Sequence, residues 1–145
     1  MEFLSERLVR LIERSAEELT NNWLRDVRKN FSTPTYHTYD ADKLYQRAFL
    51  VYSQLGKWIS RATTKEEIAT HYTAMGKQRR REGFMLSEVI QALIITRRHV
   101  WIKVLSEGLL ETALDMHKAM ELNNRVILFF DRAIYFTALG YEKIE

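Results

Sequence analysis

The four histidines, His37, His71, His99 and His117, are the side chains best able to do chemistry here, because the chain contains no cysteine. That absence removes disulfides, thiolate zinc sites, Fe–S clusters and thiol nucleophiles together. Two histidines form i,i+4 pairs with carboxylates, Glu67/His71 and His117/Glu121, which puts two potential ligands on one helix face. A zinc site needs at least a third protein ligand. None can be assigned, so no metal site is expected and the pairs read as surface ion pairs. A di-iron bundle needs Glu-x-x-His pairs. The residues three before each histidine are Pro34, Ile68, Thr96 and Leu114, which excludes it. The followers Thr38, Tyr72, Val100 and Lys118 lack the acidic neighbour of a phosphoaccepting kinase histidine, and His-x-x-Lys-Gly is missing at all four. Haem would need one histidine among apolar neighbours. His99 projects opposite the Leu86/Leu93/Val104 stripe, which leaves His71 and His117 as the candidate haem ligands.

Other catalytic and nucleotide-binding motifs are missing. There is no HExxH and no GxGxxG, and Gly76-Lys77 lacks both the upstream Gly and the following Ser/Thr of a phosphate-binding loop. No nucleophile, base and orienting group can be assembled, so catalytic residues are not expected and the chain reads as a non-enzyme. Arg97 is the odd residue. It falls on an apolar helical stripe between Leu93 and Val100/Trp101, where a lone guanidinium is costly to bury. Asp131 is the expected partner, with Glu88 and Glu82 behind it. A buried Arg97–Asp131 pair would fix the register of two helices; an anionic ligand bridged by Arg97 is the alternative. The one basic run, Lys77-Gln78-Arg79-Arg80-Arg81, winds around a helix end, where the dipole favours cations. Nucleic-acid binding would want such charges spread over a face.

The elements that must position these groups are helical. A length of 145 residues suits one domain, read as residues 1–145. One Pro and five Gly are too few for a turn-rich β-sandwich. Lys+Arg 22 against Asp+Glu 19 is too balanced to imply a nucleic-acid or membrane partner. The longest apolar run, Val126 to Phe130, is far short of the ~20 residues of a membrane span. The N-terminus is acidic where a signal peptide is basic, so a cytoplasmic protein is the default expectation. Apolar spacing predicts about five helices: Glu2 to Lys29; one capped by Asp40 and reaching Ile59; one opened by Thr64 and Glu67 and ending near Gly83; one with Ser87 and Glu88 in its first turn; and a last from about Leu110 to Glu142. The fold class is all-α, most simply an antiparallel bundle, with a globin-like arrangement as the competitor.

The last helix spans ~50 Å if continuous, at 1.5 Å per residue. Met116, Met120, Asn123, Ile127, Phe130, Ile134, Thr137 and Tyr141 form one seam along it. Leu122, Val126, Phe129, Ala133 and Phe136 form a second on nearly the opposite side. A helix packed on one core needs one stripe. The second seam is therefore expected to be a homodimer interface, unless the helix is wrapped inside its own domain.

The stretch Gly76-Lys77-Gln78-Arg79-Arg80-Arg81-Glu82-Gly83-Phe84-Met85-Leu86-Ser87-Glu88-Val89-Ile90-Gln91-Ala92-Leu93 carries a resemblance, continued by Arg97 and Trp101. With Phe129-Phe130-Asp131-Arg132-Ala133, Gly140-Tyr141-Glu142, Trp23-Leu24-Arg25 and Trp58, it resembles the N-terminal, RsbRD-type sensor domain of RsbT co-antagonist proteins over essentially the whole chain. The resemblance implies a dimeric, globin-like bacterial signalling input module that lacks haem and sits ahead of a separate output domain. It implies protein partners of a stress-response or two-component pathway and no catalytic role for Glu82, Gly83, Arg97, Trp101 or Asp131. Two functional expectations follow: a non-catalytic, cofactor-free module signalling through its last helix, or a sensor binding haem or another small ligand.

Overall fold

The computed structural model describes residues 3–143, which are helical with no strand among them. The helices are α1 (Leu4–Arg14), α2 (Ala16–Val27), α3 (Ala41–Ser53), α4 (Leu55–Ile59), α5 (Lys65–Arg81), α6 (Leu86–Ser106) and α7 (Ala113–Glu142), with a 3-10 turn at Pro34–His37. Among the described residues no helix is long and apolar enough to cross a membrane. The expected segments are present, and two of the five are broken in two. The expected helix start at Glu2 lies outside the described residues.

The helix ends follow local chemistry. Asp40 accepts from the backbone N–H groups of Asp42 (2.9 Å) and Lys43 (3.2 Å), and Thr64 Oγ1 from that of Glu67 (3.1 Å). Gly83, at φ +93°, stops α5: its N–H donates to Arg80 O and the Phe84 N–H to Arg79 O, both at 3.1 Å. The two breaks have long-range causes instead. At Ser15 (φ −96°, ψ 15°) the chain bends, and α2 brings Trp23 and Val27 inward. At Gln54 (φ −119°, ψ 22°) the interruption frees the Gly56 N–H, which donates to Glu13 Oε2 at 3.0 Å. Neither Ser15 nor Gln54 is a helix breaker; tertiary packing overrides the periodicity.

Sequence neighbours α6 and α7 pack together, and so do helices further apart in the chain. α5 lies along α7, α2 against α3 and α6, and α1 against α3, α4, α6 and α7. The closest packing is between α5 and α7, where Gly76 and Gly140 bring the two backbones together.

The expected homodimer seam needs correcting. Leu122, Val126, Phe129, Ala133 and Phe136 are only 5, 0, 2, 0 and 9% exposed within a single chain. They belong to the domain's own core. Phe130 and Thr137 of the other seam are also fully buried, so the C-terminal half of α7 is covered on both sides by its own chain. Towards its N-terminus the same helix is open, with Met116 and Met120 exposed.

Candidate functional site

α3 and α5 hardly touch, because each is anchored elsewhere. Tyr52 of α3 donates its hydroxyl to Thr96 O of α6 at 2.9 Å, while α5 is held by α7. Between them lies a cavity of about 550 Å³, within the range of small-molecule sites. Its floor comes from Trp23 of α2, Tyr36 of the 3-10 turn and Val89, Ala92 and Leu93 of α6. Trp23 is fixed there by its indole N–H, which donates to Ala92 O at 3.1 Å. Exposed Leu50 and Gln54 face exposed Thr70, His71, Ala74 and Gln78 at the mouth.

The two ends of the cavity differ chemically. At one end Arg47 grips Glu82 with both arms, Nη1 to Oε1 at 3.0 Å and Nη2 to Oε2 at 2.6 Å. Arg79 reaches the same carboxylate once, at 3.3 Å. Burial and then the Arg47 charge pull the Arg79 guanidinium below its ordinary pKa, with Glu82 opposing. Burial would raise Glu82, but hydrogen bonds from Arg47 and Tyr39 and the Arg79 charge outweigh it and hold the carboxyl below its usual range. At the other end the Trp58 ring lies 4.9 Å from His71 and 5.8 Å from Tyr72. Burial first, then the charges of Arg79 and Lys57, lower the His71 pKa, which favours the neutral imidazole. His71 and Arg79 stand about two turns apart on α5, roughly 12 Å along its axis.

Of the two candidate haem ligands, only His71 borders the cavity. His117 stands on the exposed start of α7, 71% exposed and 3.2 Å from Glu121. That placement removes it as an enclosed haem ligand. Arg97 and Asp131 do approach, Nη1 to Oδ1 at 3.8 Å, but the side chains are 30% and 62% exposed. The expected buried pair is corrected to a loose contact at the surface: Leu93 and Val100 beside Arg97 are buried, but its own side chain is 30% exposed and the guanidinium reaches water. Arg97 is not at the cavity. The dimer seam contributes no wall residue either, and Phe129 only backs Trp58 and Tyr72 from behind.

Sequence reasoning missed Arg47 and Arg79. Arg79 was hidden in the basic run, whose neighbours Arg80 and Arg81 are indeed exposed. Its side chain is 11% exposed and turns inward. The signal was available: Ile68, Tyr72, Met75 and Arg79 continue one helical stripe, the same anomaly that singled out Arg97. Among the described residues no group of three or more His, Asp or Glu is placed to hold a metal. Comparison with protein-family models, curated proteins and solved structures gives no match for this chain.

Proposed function

We propose that the chain is a non-catalytic sensory input domain in which a small molecule in the α3–α5 cavity alters the seating of α7. One observation carries this reading: α5 forms a wall of the cavity and is also the helix packed most extensively against α7. A ligand that spreads or tightens the wall biases two packings of that helix pair, and it shifts the equilibrium by its difference in affinity for them. The resemblance to RsbT co-antagonist sensor domains, whose quoted residues include Gly76, Glu82, Gly83 and Gly140, supports the same reading. The output is then read by protein partners of a bacterial signalling pathway.

Hydrogen exchange tests the coupling without a known ligand. Ala48→Phe fills the cavity from α3, and Val51→Trp is a second filling variant should the first not fold. Either should change amide protection over residues 126–142 while leaving the melting transition cooperative. Unchanged exchange in α7 with the cavity filled would defeat the sensor reading.

The proposal retains a homodimer but moves it to exposed apolar residues of α6 and α7. Ile102, Leu105, Leu128 and Tyr135 are 52, 64, 49 and 61% exposed there, the kind of apolar surface that a second copy covers. Native mass spectrometry of the chain and of Leu128→Asp/Tyr135→Asp reports this directly. A dimer that becomes a monomer is expected, and a wild-type monomer ends the dimer reading.

A further inference from the structure

We infer that the α3–α5 cavity receives an uncharged, predominantly hydrocarbon small molecule, packed against Trp58 and the aliphatic wall. The assignment rests on the sensor reading for its site. Charge is balanced around the cavity. The guanidiniums of Arg47 and Arg79 share the Glu82 carboxylate, at 3.0 and 2.6 Å from Arg47 and 3.3 Å from Arg79. A second carboxylate, Glu88, stands nearby. It is 2% exposed and accepts from the Thr35 N–H at 2.6 Å, the Thr35 hydroxyl at 2.7 Å and the Met85 N–H at 3.0 Å. The charges of Arg79, Glu88 and Arg47 all bear on the Tyr36 phenol, which lines the cavity. Two cations and two anions therefore cancel at this end. Burial keeps the Tyr36 and Tyr72 phenols protonated, so they add no charge. An ionised ligand would bring in a charge without a partner, and burying such a charge is costly.

The polar groups of the floor are already committed. Trp23 donates to Ala92 O at 3.1 Å, Thr96 Oγ1 donates to the same carbonyl at 2.8 Å, and Thr96 O accepts from Tyr52. Between the floor and the mouth the wall is Leu44, Ala48, Val51, Met75, Val89 and Leu93, which offers no side-chain hydrogen bond. Water in such a space finds few of the roughly 2–4 polar partners it needs, and an apolar molecule gains by displacing poorly held water. At the far end the Trp58 ring, stacked on Phe129 at 5.6 Å, adds an aromatic surface, and the lowered pKa of His71 favours the neutral imidazole beside it.

The volume suits a small molecule and not a partner's helix. One α-helical turn, about 10–12 Å across and 5.4 Å tall, takes up roughly 400–600 Å³. The cavity, at about 550 Å³, holds no more than that, whereas an amphipathic helix docks in a groove through several turns.

Fluorescence titration of the chain with phenylnaphthylamine and with anilinonaphthalenesulfonate tests the class, because the two share one ring skeleton and differ by a sulfonate. The neutral probe should bind one per chain, and the anion at least ~10-fold more weakly. Ala48→Phe should abolish binding of the neutral probe, with Val51→Trp as the second filling variant if the first does not fold. Glu82→Gln leaves two guanidiniums with Glu88 alone. It should raise the affinity for the sulfonate ~10-fold and leave that for the neutral probe unchanged; exclusion by size would not respond. Equal affinity of the wild type for both probes, or a sulfonate affinity unmoved by Glu82→Gln, overturns the assignment. So does a neutral probe that fails to bind, or one that binds the filled variants as well as the parent. If the neutral probe binds in the cavity while exchange in α7 ignores Ala48→Phe, the sensor reading alone falls. If exchange responds and the probe does not bind, the ligand class alone falls.

Discussion

Gly76 and Gly140 face each other across the crossing of α5 and α7, each against the other helix's backbone. A Cβ on Gly76 would lie 2.3 Å from Thr137 O, and one on Gly140 would lie 2.3 Å from Thr73 O. Gly140 does not end its helix. It is there because no larger residue fits.

Alanine at either position therefore tests the crossing. Inside a helix, Gly→Ala is ordinarily favourable by about 0.5–1 kcal/mol. Here the obstacle is backbone, which cannot rotate aside as a side chain can, and overpacking costs about 1–3 kcal/mol or more. Gly76→Ala and Gly140→Ala should each lower stability, measured as the urea midpoint at unchanged slope. A neutral or stabilised variant would show that the helices part at little cost.

The burial of α7 predicts opposite outcomes for adjacent aromatic and apolar positions. Phe129 and Phe136 are buried, so Phe129→Asp and Phe136→Asp should abolish cooperative unfolding in a thermal melt. Losing a buried Phe side chain alone costs about 3–5 kcal/mol, and the carboxylate adds its desolvation. Leu128→Asp and Tyr135→Asp, on exposed positions, should keep the helical circular dichroism of the parent.

Arg97 and Asp131 should contribute little to stability. At 3.8 Å and with Asp131 62% exposed, the pair falls among surface salt bridges, whose coupling energies run from about 0 to 1 kcal/mol. A double-mutant cycle with Arg97→Met and Asp131→Asn should give a coupling in that range that shrinks in high salt. A coupling of several kcal/mol would restore the buried pair.

His71 predicts a dependence on pH. Its folded-state pKa lies below the ordinary value of 6.5, so the unfolded chain binds the proton more readily. Stability should therefore fall as pH drops through about 6.5 and below, and rise again above it. His71→Gln should flatten that slope in melts between about pH 7 and pH 5. An unchanged slope would mean that another group titrates there.

Much of the fold was legible because helices announce themselves locally. The stripes located every helix, Asp40 and Thr64 marked two starts, and Gly83 marked a stop. The breaks at Ser15 and Gln54 were not legible, since ordinary helix formers bend there to satisfy partners far away in sequence, such as Glu13 on Gly56. The double seam of α7 marks two-sided burial only over the C-terminal half of the helix, since Met116 and Met120 are exposed, and there the cover is the domain itself instead of a second copy. Periodicity records how many sides of a helix are buried and is silent on whose chain buries them. The cavity was invisible for a related reason: Arg47 and Arg79, at its charged end, meet only through the tertiary approach of α3 to Glu82.

The order of the elements along the chain has a consequence for synthesis. Every residue lining the cavity lies between Trp23 and Thr96, whereas α7, which backs α5 through Gly140 and buries Phe129 against Trp58, begins at Ala113. On the ribosome the walls of the chamber exist before its brace. α5 has no Thr137 carbonyl to rest against until α7 has been translated, so the chamber takes its final shape only once that helix has emerged.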